Sequence, residues 1–80
     1  MTETESTYLK KLGKNISRLR REKGLSQLDV CAEIKMEKPN LSSIENGRQN
    51  VTTLTLLKIA KLLKVEVKDL FDFKEKTPNQ

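Results

Sequence analysis

Histidine and tryptophan are absent from this 80-residue chain, and cysteine occurs once. A single thiol forms no intrachain disulfide, so a reduced, intracellular setting is expected. Without His, and with one Cys, the usual zinc sets do not assemble, so no metal and no cofactor is expected. The commonest general base is missing as well. No Gly-rich phosphate loop is present, and no Ser or Cys stands beside a plausible base, so an enzyme is not expected. Unbroken apolar runs fall far short of the ~18 residues that a membrane span needs. Residues 1–7 are polar and acidic, unlike a secretory leader. These absences leave a cytoplasmic binding domain with no membrane partner and no evident small-molecule ligand.

What the chain has is positive charge. Sixteen Lys and Arg stand against eleven Asp and Glu, a net charge of +5. The charge is concentrated. Residues 8–24 carry seven cations and one Glu. Such a segment holds a polyanion if it lies on one face of a fold, or is simply a solvated helix. Eighty residues suffice for one small domain.

Apolar spacing predicts an all-α fold of about five short helices. Leu9, Leu12, Ile16 and Leu19 recur at helical spacing within residues 8–23, and Gly24 suits the left-handed position after a helix. Ser26-Gln27-Leu28-Asp29 has the form of a capping box and starts a second helix, with Val30, Cys31 and Ile34 inward. Pro39 marks the first turn of a third helix, with Glu37 or Lys38 as its cap and Leu41 and Ile44 inward. Asn46-Gly47 ends it. Thr52 caps a fourth helix that has too many apolar residues for one stripe, so it is central or has a second buried face. Val65, Val67, Leu70 and Phe71 suggest a short fifth. The expected organisation is a disordered end at 1–7, a domain at 8–73 and a disordered tail at 74–80.

Two short helices joined by a turn have the geometry of a helix-turn-helix, whose second helix can enter a DNA major groove. Details at fixed positions sharpen this. Arg18-Leu19-Arg20-Arg21-Glu22-Lys23-Gly24-Leu25-Ser26-Gln27, Leu41-Ser42-Ser43-Ile44-Glu45-Asn46-Gly47-Arg48-Gln49-Asn50 and Leu56-Leu57-Lys58-Ile59-Ala60 resemble the Cro/lambda-repressor (Xre) family. The resemblance spans residues 15–71, about seventy per cent of the chain. It implies a lambda-repressor-like domain and a regulator akin to restriction–modification controllers or phage repressors. It further implies that Gln27 bonds a DNA phosphate and braces the recognition helix, and that Arg20 and Glu45 form an internal salt bridge. Cys31 takes the place of a core Ala at the crossing of the second and third helices. Asn46, Gly47 and Arg48 fall where the family contacts phosphates through backbone amides and side chains.

On the recognition helix, Lys38, Asn40, Ser42 and Ser43 are outward and polar. Lys donates to guanine, Asn bonds adenine bidentately, Ser serves base or phosphate, and Pro39 suits a thymine methyl. Two departures from the family stand out. Lys35 occupies a turn position usually held by Gly, implying positive φ. Leu28 replaces a polar residue and is expected to be partly exposed. The expected function is a sequence-specific transcriptional regulator, often a repressor, binding a (pseudo)palindromic site on double-stranded DNA as a homodimer. The dimer surface is expected from Leu62, Phe71 and Phe73, whereas Val67 also suits the monomer core. The alternative is an antitoxin-type module that binds a protein and represses its own operon, for which the spare ends are short.

Overall fold

The computed structural model describes residues 1–73; the expected tail at 74–80 lies outside them. The first helix starts earlier than its apolar spacing implies. The Thr2 hydroxyl accepts the Glu5 N–H (3.1 Å), and the Glu5 carboxylate accepts the Thr2 N–H (2.7 Å). This capping box, with Glu3 and Glu5 near the positive end of the helix dipole, makes residues 3–7 helical. The frayed end expected at 1–7 is therefore corrected to the first turns of α1 (Glu3–Glu22). Gly24 follows with φ +74°.

Ser26 caps α2 (Gln27–Ile34) with the anticipated box: its hydroxyl accepts from Asp29 N–H, and the Asp29 carboxylate accepts from Ser26 N–H. The latter bond holds the Asp29 carboxyl below the ordinary range. Lys35 closes α2 at φ +56°, the left-handed turn expected of it. Glu37 is the N-cap of α3 (Lys38–Glu45), which carries Pro39 in its first turn where a missing N–H is harmless. Thr52 caps α4 (Thr53–Leu63), and the short α5 (Val67–Leu70) completes five helices, with no strand among the described residues. Lys64 after α4 also has positive φ, +58°.

Two apolar clusters meet at α4. Leu12 and Ile16 of α1, Ile44 of α3, Leu56, Ile59, Ala60 and Leu63 of α4, and Leu70 of α5 form the larger. Val30, Cys31 and Leu41 form the smaller at the α2–α3 crossing, with Leu62 packed against it from α4. The apolar surplus of α4 thus has two destinations. Cys31 is buried, and burial pushes its thiol pKa up. Asn15, buried on α1, donates to the backbone carbonyls of Asp69 (3.1 Å) and Leu70 (2.8 Å). It ties the end of α5 to α1 through these two carbonyls.

Gly13 sets the approach of α3 to α1. A Cβ there would collide with the Ile44 carbonyl oxygen and lie 2.6 Å from that of Glu45. Gly47, just past α3, meets the Lys10 backbone as closely. The exit of α3 is therefore seated on the bare backbone of α1. In an exposed helix, Gly→Ala would stabilise by about 1 kcal/mol. Here the sign reverses: Gly13→Ala is expected to destabilise by about 1–3 kcal/mol through overpacking. Urea denaturation decides it, and a variant as stable as the parent would refute the close seating.

Candidate nucleic-acid interface

One guanidinium joins three parts of the chain. Arg20 on α1 donates through Nε to Glu45 Oε2 (2.7 Å) and through Nη2 to Glu45 Oε1 (3.0 Å). Its Nη1 donates to the Leu25 carbonyl (2.8 Å) in the loop before α2. Gln27, the first residue of α2, donates from Nε2 to Glu45 Oε1 (3.0 Å). The two charged side chains are only 10% and 5% exposed. Burial pushes the Glu45 carboxyl pKa up, but hydrogen bonds from Arg20, Gln27 and Ser17 and the Arg20 charge outweigh it, and the net shift is downward. The bond to Glu45 raises the Arg20 pKa in turn. The expected bridge is present, and so is the Gln27 brace.

With Leu41, Ile44 and Glu45 buried, α3 turns its other side outward. Lys38, Pro39 and Asn40 are exposed at its start, and Ser42 and Ser43 are half-buried. At its end the Asn46 side chain folds back, donating to the Ser42 carbonyl (2.8 Å). The N–H groups of Asn46, Gly47 and Arg48 donate to the carbonyls of Ser42, Ile44 and Ser43. The backbone amides expected to be available there are thus already engaged in closing α3. The Arg48 side chain is exposed. Leu28, at the start of α2, is 63% exposed, as anticipated.

A cleft of about 790 Å³ runs beside α3, between α1 and the start of α2. Lys38, the first residue of α3, and Asn46, just past its end, both line it. Lys14, Ser17 and Arg21 of α1 and Gln27 of α2 line it as well.

A buried side, an outward basic start and a brace from the preceding helix are what a helix-turn-helix needs. The helix-turn-helix family model matches residues 16–70. The chain belongs to this Xre-type helix-turn-helix family of DNA-binding transcriptional regulators. It is 44% identical over 69 residues to the uncharacterized HTH-type transcriptional regulator y4dJ of Sinorhizobium fredii, covering 86% of this chain and 90% of that one. It is 39% identical over 67 residues to the control protein C.MunI of a Mycoplasma species, covering 82% and 90%. The fold is similar to the restriction–modification controller protein C.AhdI of Aeromonas hydrophila, with TM-score 0.76 and 33% identity over 79% of this chain and 96% of that one.

Other features of this helix-turn-helix domain were not anticipated. Gly13 gives no local signal inside a helical pattern, because only the approach of α3 explains it. Asn15 reads as an ordinary polar residue until α5 is in place. The two large apolar side chains most exposed on α4, Leu54 (69%) and Leu57 (41%), are absent from the expected dimer surface. Leu62, Phe71 and Phe73, which were expected there, are half-buried against the monomer's own clusters. Phe71 and Phe73 also pack on Tyr8, with ring centroids 6.1 and 5.3 Å away.

The Glu45 shift gives stability a pH dependence of definite sign. Its folded pKa lies below the unfolded one. Its contribution is therefore complete above the ordinary carboxylate range and is lost as pH falls through the folded value. Glu45→Gln keeps the shape but leaves Arg20 buried without a counter-charge, at an expected cost of about 3 kcal/mol at neutral pH. Thermal melts from neutral to strongly acidic pH test both points: the two proteins should converge in acid, and parallel curves would exclude the ion pair as the cause.

Proposed function

We propose that this protein is a sequence-specific transcriptional regulator that binds a (pseudo)palindromic operator as a homodimer. The exposure of Lys38, Pro39 and Asn40 at the start of a helix clamped by Arg20, Glu45 and Gln27 carries this reading. Lys38 and Asn40 reach base edges, with Pro39 against a thymine methyl and Ser42 and Ser43 adding short or water-bridged contacts. Gln27 and Arg48 hold phosphates; Asn46, whose Nδ2 is tied to Ser42, contributes by fixing the end of α3. The names of C.MunI and C.AhdI support a controller-type regulator.

A dimer doubles the base contacts and sets two recognition helices about 34 Å apart, one turn of DNA. Leu54 and Leu57, three residues apart on α4, are its anchor, being outside the cleft and exposed. Leu62, Phe71 and Phe73 have a smaller share, because much of their surface is covered within one protomer.

Selection of bound duplexes from a random pool supplies the operator. Lys38→Ala and Asn40→Ala should each weaken the selected duplex by about 1–3 kcal/mol and relax the preference at one base pair. Gln27→Ala should weaken selected and random duplexes alike. Equal affinity of the parent for both duplexes would refute specific recognition. For the dimer, sedimentation at micromolar concentration should show association that Leu54→Lys/Leu57→Lys abolishes and Phe71→Lys reduces less. A parent that stays monomeric while binding a palindrome would refute it.

A further inference from the structure

The cleft beside α3 has a second wall with no assigned role. Lys14, Ser17 and Arg21 line it from α1. Their spacing, with Lys10, is i, i+4, i+7 and i+11, one continuous side of a helix about 16 Å long at 1.5 Å per residue. At the Lys10 end, the α1 backbone abuts Gly47, just past the end of α3. At the other end Arg21 shares the cleft with Gln27 and Lys38.

The charges on this wall are not neutralised. Glu45, the carboxylate lining the cleft, is committed to Arg20. Neither Lys14 nor Arg21 has a carboxylate partner among the described residues, whereas the nearby Arg18 is tied to Glu22 at 2.7 Å and to Asn15 at 2.6 Å. With Lys38, three cations besides the paired Arg20 line a cleft whose one carboxylate, Glu45, is engaged. A concave surface of this kind concentrates a positive field.

We infer that Lys14 and Arg21 form a backbone clamp: they grip phosphates of the DNA strand that borders the groove entered by α3. This rests on the DNA-binding reading above and extends it to α1. A strand edging that groove passes along α3, and Lys38 at the start of α3 and Asn46 just past its end both line the cleft. The Arg21 guanidinium fits two phosphate oxygens as a fork, and the Lys14 ammonium acts as a point charge. Such contacts carry no sequence information. They supply affinity and orientation to a recognition helix whose middle readers, Ser42 and Ser43, are short.

The test compares the parent, Lys14→Gln/Arg21→Gln and a control of equal charge outside the cleft and off α4, Lys23→Gln/Lys68→Gln. Binding to the selected duplex and to a random-sequence duplex is measured across salt concentrations. Each lost phosphate contact lowers the slope of log affinity against log salt by about 0.9. The cleft variant should therefore lose about 1.8 units of slope per bound protomer, about 3.6 for the dimer, on both duplexes alike, with its ranking of sequences intact. The control should keep the parent's slope to within about half a unit. All four side chains are exposed, so thermal melts should match the parent's. Phosphate-ethylation interference on the parent adds a measurement that no folding defect affects: it should show sensitive phosphates that the cleft variant ignores. An unchanged slope in the cleft variant, an equal drop in the control, or the same interference pattern in both proteins would overturn the clamp while leaving the regulatory reading standing. A parent that binds neither duplex would bring down both.

Discussion

The Arg20–Glu45 ion pair is the constraint on which the arrangement of the reading surface depends. Taking two charges out of water is costly, and only good geometry with further hydrogen bonds offsets it. Here the offset comes from the Leu25 carbonyl, the Gln27 amide and the doubly bonded carboxylate. Apolar contacts alone favour proximity without fixing register. Directed bonds from one guanidinium to the loop before α2 and to α3 set how far the recognition helix stands from α1 and how it is rotated. No buried side-chain nitrogen or oxygen among the described residues lacks a hydrogen-bond partner, so this polar junction is complete.

Much of the fold was legible because its punctuation is local. Ser26 with Asp29, Pro39, Thr52 and the glycine after α1 each act through bonds or dihedrals within a few residues. Inward positions such as Leu12, Ile16, Leu41 and Ile44 follow from spacing alone. The beginning of α1 is not legible from apolar spacing because residues 3–7 have no apolar member, and helix there comes from the Thr2–Glu5 box instead of burial. A polar stretch and a capped first turn differ by two hydrogen bonds, which composition does not register. Lys35 was legible through a different route, as a departure from a glycine position, while Lys64 carried no comparable signal.

The site was legible where chemistry sits on an outward helix side, and illegible where it depends on two elements meeting. Lys38 and Asn40, exposed on α3, and Gln27, bonded to Glu45, are what the proposed reading takes from residue type and position. The cleft wall on α1 is not legible that way, since the basic segment reads equally as solvent-facing until α3 is laid against it. The surplus of leucines on α4 was visible, but its division was not. Leu62 enters the cluster at Val30, Cys31 and Leu41, whereas Leu54 and Leu57 remain outside. One helix serves two clusters, and which side chains are left over depends on the angle at which α2 crosses it.

The seating of α3 on Gly13 separates mounting from reading. Leu41, Ile44, Glu45 and the carbonyls at the helix end attach α3 to the rest of the molecule, while Lys38, Pro39, Asn40 and Ser43 take no part in that attachment through any hydrogen bond or ion pair of their side chains. The two sets share no residue. Replacement of the outward residues therefore leaves the attachment intact, so that under the proposed function the same frame accommodates other recognition sequences. Under that reading, divergence of target preference requires no compensating change in the interior, and new specificities are reachable by single substitutions that leave folding unaltered.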